Sequence, residues 1–180
     1  MEPSDADLIA RIVVAGDRTA FTLLVRRHQA FVRSLLLHLC RDHALADDLV
    51  QETFVKLFTN LDRYSGEGAF RSWLGGIAYR QFLMAARRQR SHDNKLDLYA
   101  AVPLTATVSV PENASSLDLD RALARLPEQQ RAAIILSYGC DMSHPEIARE
   151  MKAPLGTVKS WLAQAKALLR DQLASSRPEE

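Results

Sequence analysis

S-H-P-E-I-A-R-E-M-K-A-P-L-G-T-V-K-S, residues 143–160, decides how the C-terminal third of the chain is read. Ser143 and Glu146 stand three apart, the spacing of a capping box, in which the serine accepts a backbone N–H and the glutamate reaches back. Ile147, Ala148 and Met151 follow at the spacing of one buried helix face. Lys152-Ala153-Pro154 stops that helix and turns the chain. A second helix is expected from Leu155 to about Ala174, with Val158, Leu162, Ala165 and Leu169 inward. Two short helices with so tight a turn form a helix-turn-helix, whose second helix fits a DNA major groove. Its outward positions are Thr157, Lys159, Ser160, Ala163, Gln164 and Lys166. Lysines there neutralise phosphates, and a glutamine amide can pair with an adenine edge. An ordinary packed helix pair carries the same periodicity, so the pattern needs support from the rest of the chain.

Working outward, the same helical period recurs nearly everywhere, and alternating β-branched runs are absent. The expected fold is all-α: two small helical domains joined by a flexible linker. Asp5 to Ala15 reads as a helix ended by Gly16. Asp17 caps a second helix reaching about Cys40, with Phe21, Leu24, Val25, Phe31, Leu35 and Leu39 inward. A third spans about Ala44 to Leu61 on a stripe of Val50, Phe54, Leu57, Phe58 and Leu61. Ser65-Gly66-Glu67-Gly68 breaks the chain, and a fourth helix covers about Phe70 to Arg90. Residues 92–114, rich in Pro, Thr and Ser, read as the linker. Helices are expected again from Ser115 to Leu126, stopped by Pro127, and from Glu128 to Tyr138. The expected domains are thus 1–91 and 115–175, with 176–180 as a tail.

The net charge of +1 over 180 residues conceals a partition. Residues 61–95 hold seven Lys/Arg against three Asp/Glu, whereas 96–120 hold none against four. No apolar run approaches the ~20 residues of a membrane helix, and Met1-Glu2-Pro3-Ser4-Asp5 lacks a signal-peptide pattern, so a cytoplasmic location without membrane insertion is expected. Cys40 and Cys140, a hundred residues apart, are no disulfide framework and read as free thiols.

The fourth helix concentrates the basic charge. Arg80 and Arg87 are seven apart and share a face with Trp73; Gly76 leaves room on that stripe for close approach. Tyr79 and Phe82 add aromatics, and Arg71, Arg88 and Arg90 add cations. Cations beside rings suit single-stranded DNA, the cations holding phosphates and the rings stacking bases. The alternative is that the rings are core and the arginines a solvated end. On the third helix Asp47, Asp48, Gln51, Glu52 and Val55 make a polar face opposite the apolar stripe, suited to a protein contact or simply to the helix dipole. His38, Cys40 and His43 invite a metal reading, but their spacing straddles a helix end and no fourth ligand is evident, so no metal site is expected. No nucleophile–base pair or phosphate loop stands out; no enzyme activity, cofactor or small-molecule substrate is expected.

Together these segments resemble the extracytoplasmic-function (ECF) sigma factors of the sigma-70 family. The strings that carry the resemblance are D-D-L-V-Q-E-T-F (47–54), F-R-S-W-L-G-G-I-A (70–78), L-P-E-Q-Q-R (126–131) and E-I-A-R-E-M-K-A-P-L-G-T-V-K-S (146–160). The resemblance implies a region 2 helical bundle and a region 4 helix-turn-helix that direct promoter-specific initiation by RNA polymerase. It implies that Asp47, Asp48, Gln51 and Glu52 meet the β′ clamp helices, that the fourth helix captures the melted −10 element, and that the helix-turn-helix reads the −35 element and contacts the β flap. It also implies control by an anti-sigma factor.

Some positions depart from the family pattern. Arg80 stands where Asn is usual, Met84 where Asp is frequent, and Trp161 and Gln164 replace two arginines. Trp161 follows Val158 by three residues and is expected to cap the core, while Gln164 is expected to trade a guanine preference for adenine. Two rivals remain open at this stage: a free-standing helix-turn-helix regulator, which has no need of residues 44–90, and a sigma mimic that titrates an anti-sigma factor without touching DNA.

Overall fold

Side chains that close the backbone groups at helix ends fix where each helix of the N-terminal half begins. The computed structural model describes residues 2–96 and 114–175. Ser4 and Asp7 form a reciprocal capping box that opens α1 (Asp5–Ala15), and Gly16 ends it at φ 63°, a left-handed conformation cheap only for glycine. Asp17 then caps α2 (Arg18–Cys40), its Oδ1 accepting from the N–H groups of Thr19 and Ala20 at 2.9 and 3.0 Å. Asp42 does the same for α3 (His43–Asn60), accepting from Leu45 at 2.9 Å. A short 3-10 turn, Leu61–Arg63, and a loop with Gly66 and Gly68 at positive φ lead into α4.

Helix α4 runs Phe70–Leu96, six residues beyond the expected end at Arg90. Ser91-His92-Asp93-Asn94 is polar but contains neither Gly nor Pro, so nothing in it forbids another turn and a half. The linker expected at 92–114 therefore gives residues 92–96 to α4 and residue 114 to the next helix; 97–113 lie outside the described residues, as does the tail at 176–180. The chain resumes in α5 (Ala114–Ala124), α6 (Glu128–Gly139), α7 (His144–Met151) and α8 (Leu155–Ser175). No strand occurs among the described residues, in agreement with the expected class.

Leu8, Leu24, Leu36, Leu39, Leu49, Leu57, Leu61 and Leu74 fill the N-terminal core, and Leu136, Ile147 and Val158 the C-terminal one. Each such side chain contributes roughly 1.5–3 kcal/mol on leaving water. Trp161 packs against the core, as expected. Phe58, expected inward, is instead 51% exposed; it stands beside the buried stripe and meets the Phe21 ring edge-on at 4.9 Å. Leu119 of α5 is also half-exposed.

The two halves are not separate beads. Their apolar residues form one continuous cluster, with α5 and α6 against α2, and α7 against α4.

Candidate nucleic-acid interface

The polar face of α3 lies open as the sequence suggests. Asp47, Asp48, Gln51 and Val55 are exposed and Glu52 is partly so. Two of the acids already have partners: Arg33 grips Asp47 in a fork at 2.6 and 3.3 Å, and Arg88 lies 3.5 Å from Glu52. The Arg33 guanidinium holds the Asp47 carboxyl below the usual carboxylate range. Asp48, Gln51, Glu52 and Val55 line a shallow groove against Gln81, Met84 and Arg88 of α4.

The basic face of α4 is split by helix geometry. Arg88 follows Arg87 by one residue, about 100° around the axis, and therefore leans toward α3 instead of joining the others. Arg71, Arg80 and Arg90 turn toward the C-terminal half, and all three are engaged by it. Arg71 Nε donates to the Gly139 carbonyl at 3.0 Å, its guanidinium sits 4.0 Å over the Phe31 ring, and Asp141 lies 3.8 Å away. Arg80 Nη1 donates to both oxygens of Glu150, at 2.8 and 2.6 Å. Arg90 lies 3.2 Å from Glu128. Arg87 is exposed and lines a cleft with Arg90, Glu128 and Trp161. Trp73 is half-buried between Tyr64 and Phe70, at ring separations of 5.2 and 6.0 Å.

Tyr79 and Phe82, expected to add stacking surface, are buried at 4% and 8% exposure. Burial, with Glu128 and Glu150 nearby, pushes the Tyr79 hydroxyl up to about 12. These two rings hold α4 in place and present no free face.

Helix α8 offers the opposite picture. Lys159, Ser160, Ala163, Gln164 and Lys166 are exposed, and Thr157 is partly so. Val158, Leu162 and Ala165 anchor the other side. Gln164 accepts from Gln130 at 2.7 Å and donates to Ser160 Oγ at 3.2 Å, so its amide is oriented before any ligand arrives. Lys166 departs from this outward stripe, its ammonium 5.4 Å over the Tyr138 ring. It borders a groove of about 870 Å³ between the halves, whose apolar floor includes Phe31, Leu123, Ile135 and Leu169, with Arg71 and Arg170 also on its rim.

Of the residues of the metal reading, His38 and Cys40 have other partners, the Cys40 thiol donating to the Asp42 carbonyl at 3.4 Å, and His43 Nε2 is buried without a hydrogen-bond partner. His38 Nδ1 donates to the Ser34 carbonyl at 2.6 Å and its Nε2 lies 2.9 Å from Asp120. Both cysteines are free thiols, as expected; burial pushes Cys140 up to about 12.

Sequence reasoning missed the C-terminal partners Glu128, Asp141 and Glu150, together with Ser72, Gly75 and Cys140. Ser72 Oγ donates to the Cys140 carbonyl at 2.8 Å in the buried seam. A Cβ on Gly75 would stand 2.5 Å from Cys140 Sγ and 2.9 Å from its Cβ. The signal available was Gly75-Gly76 inside a helix, a pairing that costs helix stability and therefore marks close packing.

An architecture of this kind, a helical bundle followed by a helix-turn-helix, is that of the sigma-70 proteins, and the family comparison agrees. The sigma-70 region 2 model matches residues 24–92 and the sigma-70 region 4 model residues 116–169. The chain is 32% identical to the ECF RNA polymerase sigma-E factor of Haemophilus influenzae, over 94% of this chain and 95% of that one. It is 35% identical to the ECF RNA polymerase sigma factor SigM of Mycobacterium tuberculosis, over 93% and 84%. Among solved structures it is similar to CnrH in complex with the cytosolic domain of CnrY, at 25% identity and a TM-score of 0.63, covering 96% and 99% of the two chains. The sigma factor RpoE of Bartonella quintana, solved with the anti-sigma factor NepR, shares the fold at 24% identity and a TM-score of 0.69, covering 87% and 98%. The chain belongs to the ECF group of sigma-70 family sigma factors.

Proposed function

We propose that α3 is the polymerase-docking face, α4 the reader of the opened −10 strand and α8 the reader of the −35 duplex. The observation that carries this assignment is the division of surface chemistry: an exposed acid-and-amide face on α3, arginines on α4 and an exposed Lys/Ser/Gln stripe on α8. Asp48, Gln51 and Val55 make the central contact with the β′ clamp helices, flanked by Asp47 and Glu52. Arg71, Trp73, Arg80, Arg87 and Arg90 hold phosphates and bases of the opened strand; Arg88, directed at Glu52, braces α3 against α4. Thr157, Lys159, Ser160, Ala163 and Gln164 read the −35 element, and Lys166 adds phosphate charge from the side. Polymerase supplies the chemistry, and the chain needs no cofactor.

Such a protein acts in the cytoplasm; no described helix is long and apolar enough to cross a membrane. An anti-sigma factor is the second expected partner. The apolar groove between the halves, rimmed by Arg71, Lys166 and Arg170, suits an amphipathic helix with acidic flanks.

Run-off transcription with purified core polymerase and a promoter library tests the assignment. Protein-dependent transcripts from promoters sharing two spaced elements are expected, and Asp48→Lys with Gln51→Ala should abolish them by blocking core binding. Failure of the unmodified chain to bind core overturns the docking assignment and favours a sigma mimic or a free-standing regulator.

A further inference from the structure

Gln164, the outward amide of α8, does not fix its own orientation. Its helix supplies one partner, Ser160 Oγ, which takes an N–H of Nε2 at 3.2 Å. A hydroxyl both donates and accepts, so that contact suits either end of an amide. The choice between the ends is made from another helix. Gln130, in the first turn of α6 and thirty-four residues away in the chain, donates from Nε2 to Gln164 Oε1 at 2.7 Å. Gln130 is itself partly buried, and its Oε1 is buried with no hydrogen-bond partner. Turning Gln130 over would leave two donors unpaired in that place instead of one acceptor, which is the worse arrangement.

We propose that Gln130 is a positioning residue for promoter reading: from outside the recognition helix it decides which end of the Gln164 amide meets which atom of the base, and so sets the base selected there. This rests on the assignment of α8 as the −35 reader. With Oε1 held by Gln130 and Nε2 held by Ser160, one lone pair and one N–H of the Gln164 amide remain free. They complement the N6–H and N7 of adenine. An amide released from Gln130 turns over, its donor and acceptor exchange places, and other base edges fit it as well. Specificity at this base is thus written on two helices.

Two variants separate orientation from packing. Gln130→Met keeps the length of the side chain but donates nothing. Gln130→Glu keeps its shape and, ionised, only accepts, so Gln164 must turn Nε2 toward it while Ser160 donates to Oε1. Core polymerase carrying the full chain is given promoters randomised across the −35 element, and the promoters it transcribes are sequenced. The position whose base preference Gln164→Ala flattens marks the contacted base. At that position alone, Gln130→Met should lower discrimination about tenfold, and Gln130→Glu should replace the favoured base by another. Relative use of the four bases is compared within each protein, so the added glutamate charge, which weakens phosphate binding at every sequence alike, cancels. In a Gln164→Ala background, Gln130→Met should change the preference no further, as a residue acting only through Gln164 must. Where Gln130→Met lowers the helical circular dichroism, Gln130→Glu decides, since an exchanged preference requires a folded reader. A profile altered by Gln164→Ala but by neither Gln130 variant overturns the positioning role and leaves α8 as the reader. An equal loss at every −35 position also overturns it, and shows that Gln130 only packs α6 against α8. An unmodified chain that selects no −35 base overturns the assignment of α8, and the role of Gln130 with it.

Discussion

On α4, Arg71, Arg80 and Arg90 each meet a carbonyl or carboxylate from the C-terminal half. On α8, Lys159, Ser160 and Gln164 face outward, and the partners of Gln164 come from its own helix and the neighbouring α6. Both helices are basic, both are anchored by a buried apolar stripe, and both are proposed to touch DNA. The difference follows from how the surfaces are built. A duplex-reading helix needs shape and a few oriented donors, and these survive exposure to solvent. A strand-reading face needs dense cations beside rings, and such a face attracts any acid within reach, including the chain's own.

The largest expected effect comes from removing the support of the open face. Leu162 is 2% exposed, so Leu162→Ala should cost about 2–5 kcal/mol and lower the melting temperature of the C-terminal half. Binding to −35 duplex should be lost, because Val158, Leu162 and Ala165 hold the outward stripe of α8 in place. Anisotropy on −35 duplex checks this; unchanged binding would mean that the outward stripe does not depend on its buried anchor.

Gln164→Ala should remove about 1–3 kcal/mol of discrimination at one −35 base while leaving the melted strand unaffected. Selection of −35 sequences before and after the change checks this. A strong guanine that persists at the contacted base in both proteins would break the adenine expectation.

Ser143→Ala should cost about 1 kcal/mol by uncapping α7, the short helix that carries Glu150. Glu146 accepts from the Ser143 hydroxyl and backbone N–H at 2.6 and 2.8 Å, which hold its carboxyl below the ordinary value of 4.5. A carboxyl depressed by folding adds stability above its unfolded value, and that stability is lost as pH falls through the folded one. The difference between native and variant melting temperatures should therefore be full at neutral pH and shrink below 4.5.

The smallest effect sharpens the comparison by salt. Lys159→Ala should lower the slope of log affinity against log salt for −35 duplex by about 0.9, the signature of one lost phosphate contact. The single-strand slope should not move.

Much of this was legible in the chain because it is local. Capping residues such as Asp17 and Ser143 act within three positions, and the stripe of Val158, Leu162 and Ala165 repeats at the helical period. The outward residues of α8 and the open face of α3 followed from the same arithmetic. Phe58 escaped because a residue beside the stripe belongs to either side until its neighbours are known. Arg88 escaped because clustering in sequence does not mean clustering on a helix surface.

By itself the sequence determined the helices, the two-part organisation and the helix-turn-helix, since these depend on contacts a few residues long. Only the tertiary structure decided which arginines are covered. Arg80 and Glu150 are seventy residues apart, and no periodicity connects them. The Gly75–Cys140 approach likewise exists only once two helices have met, because the space a missing side chain leaves acquires a meaning from what fills it.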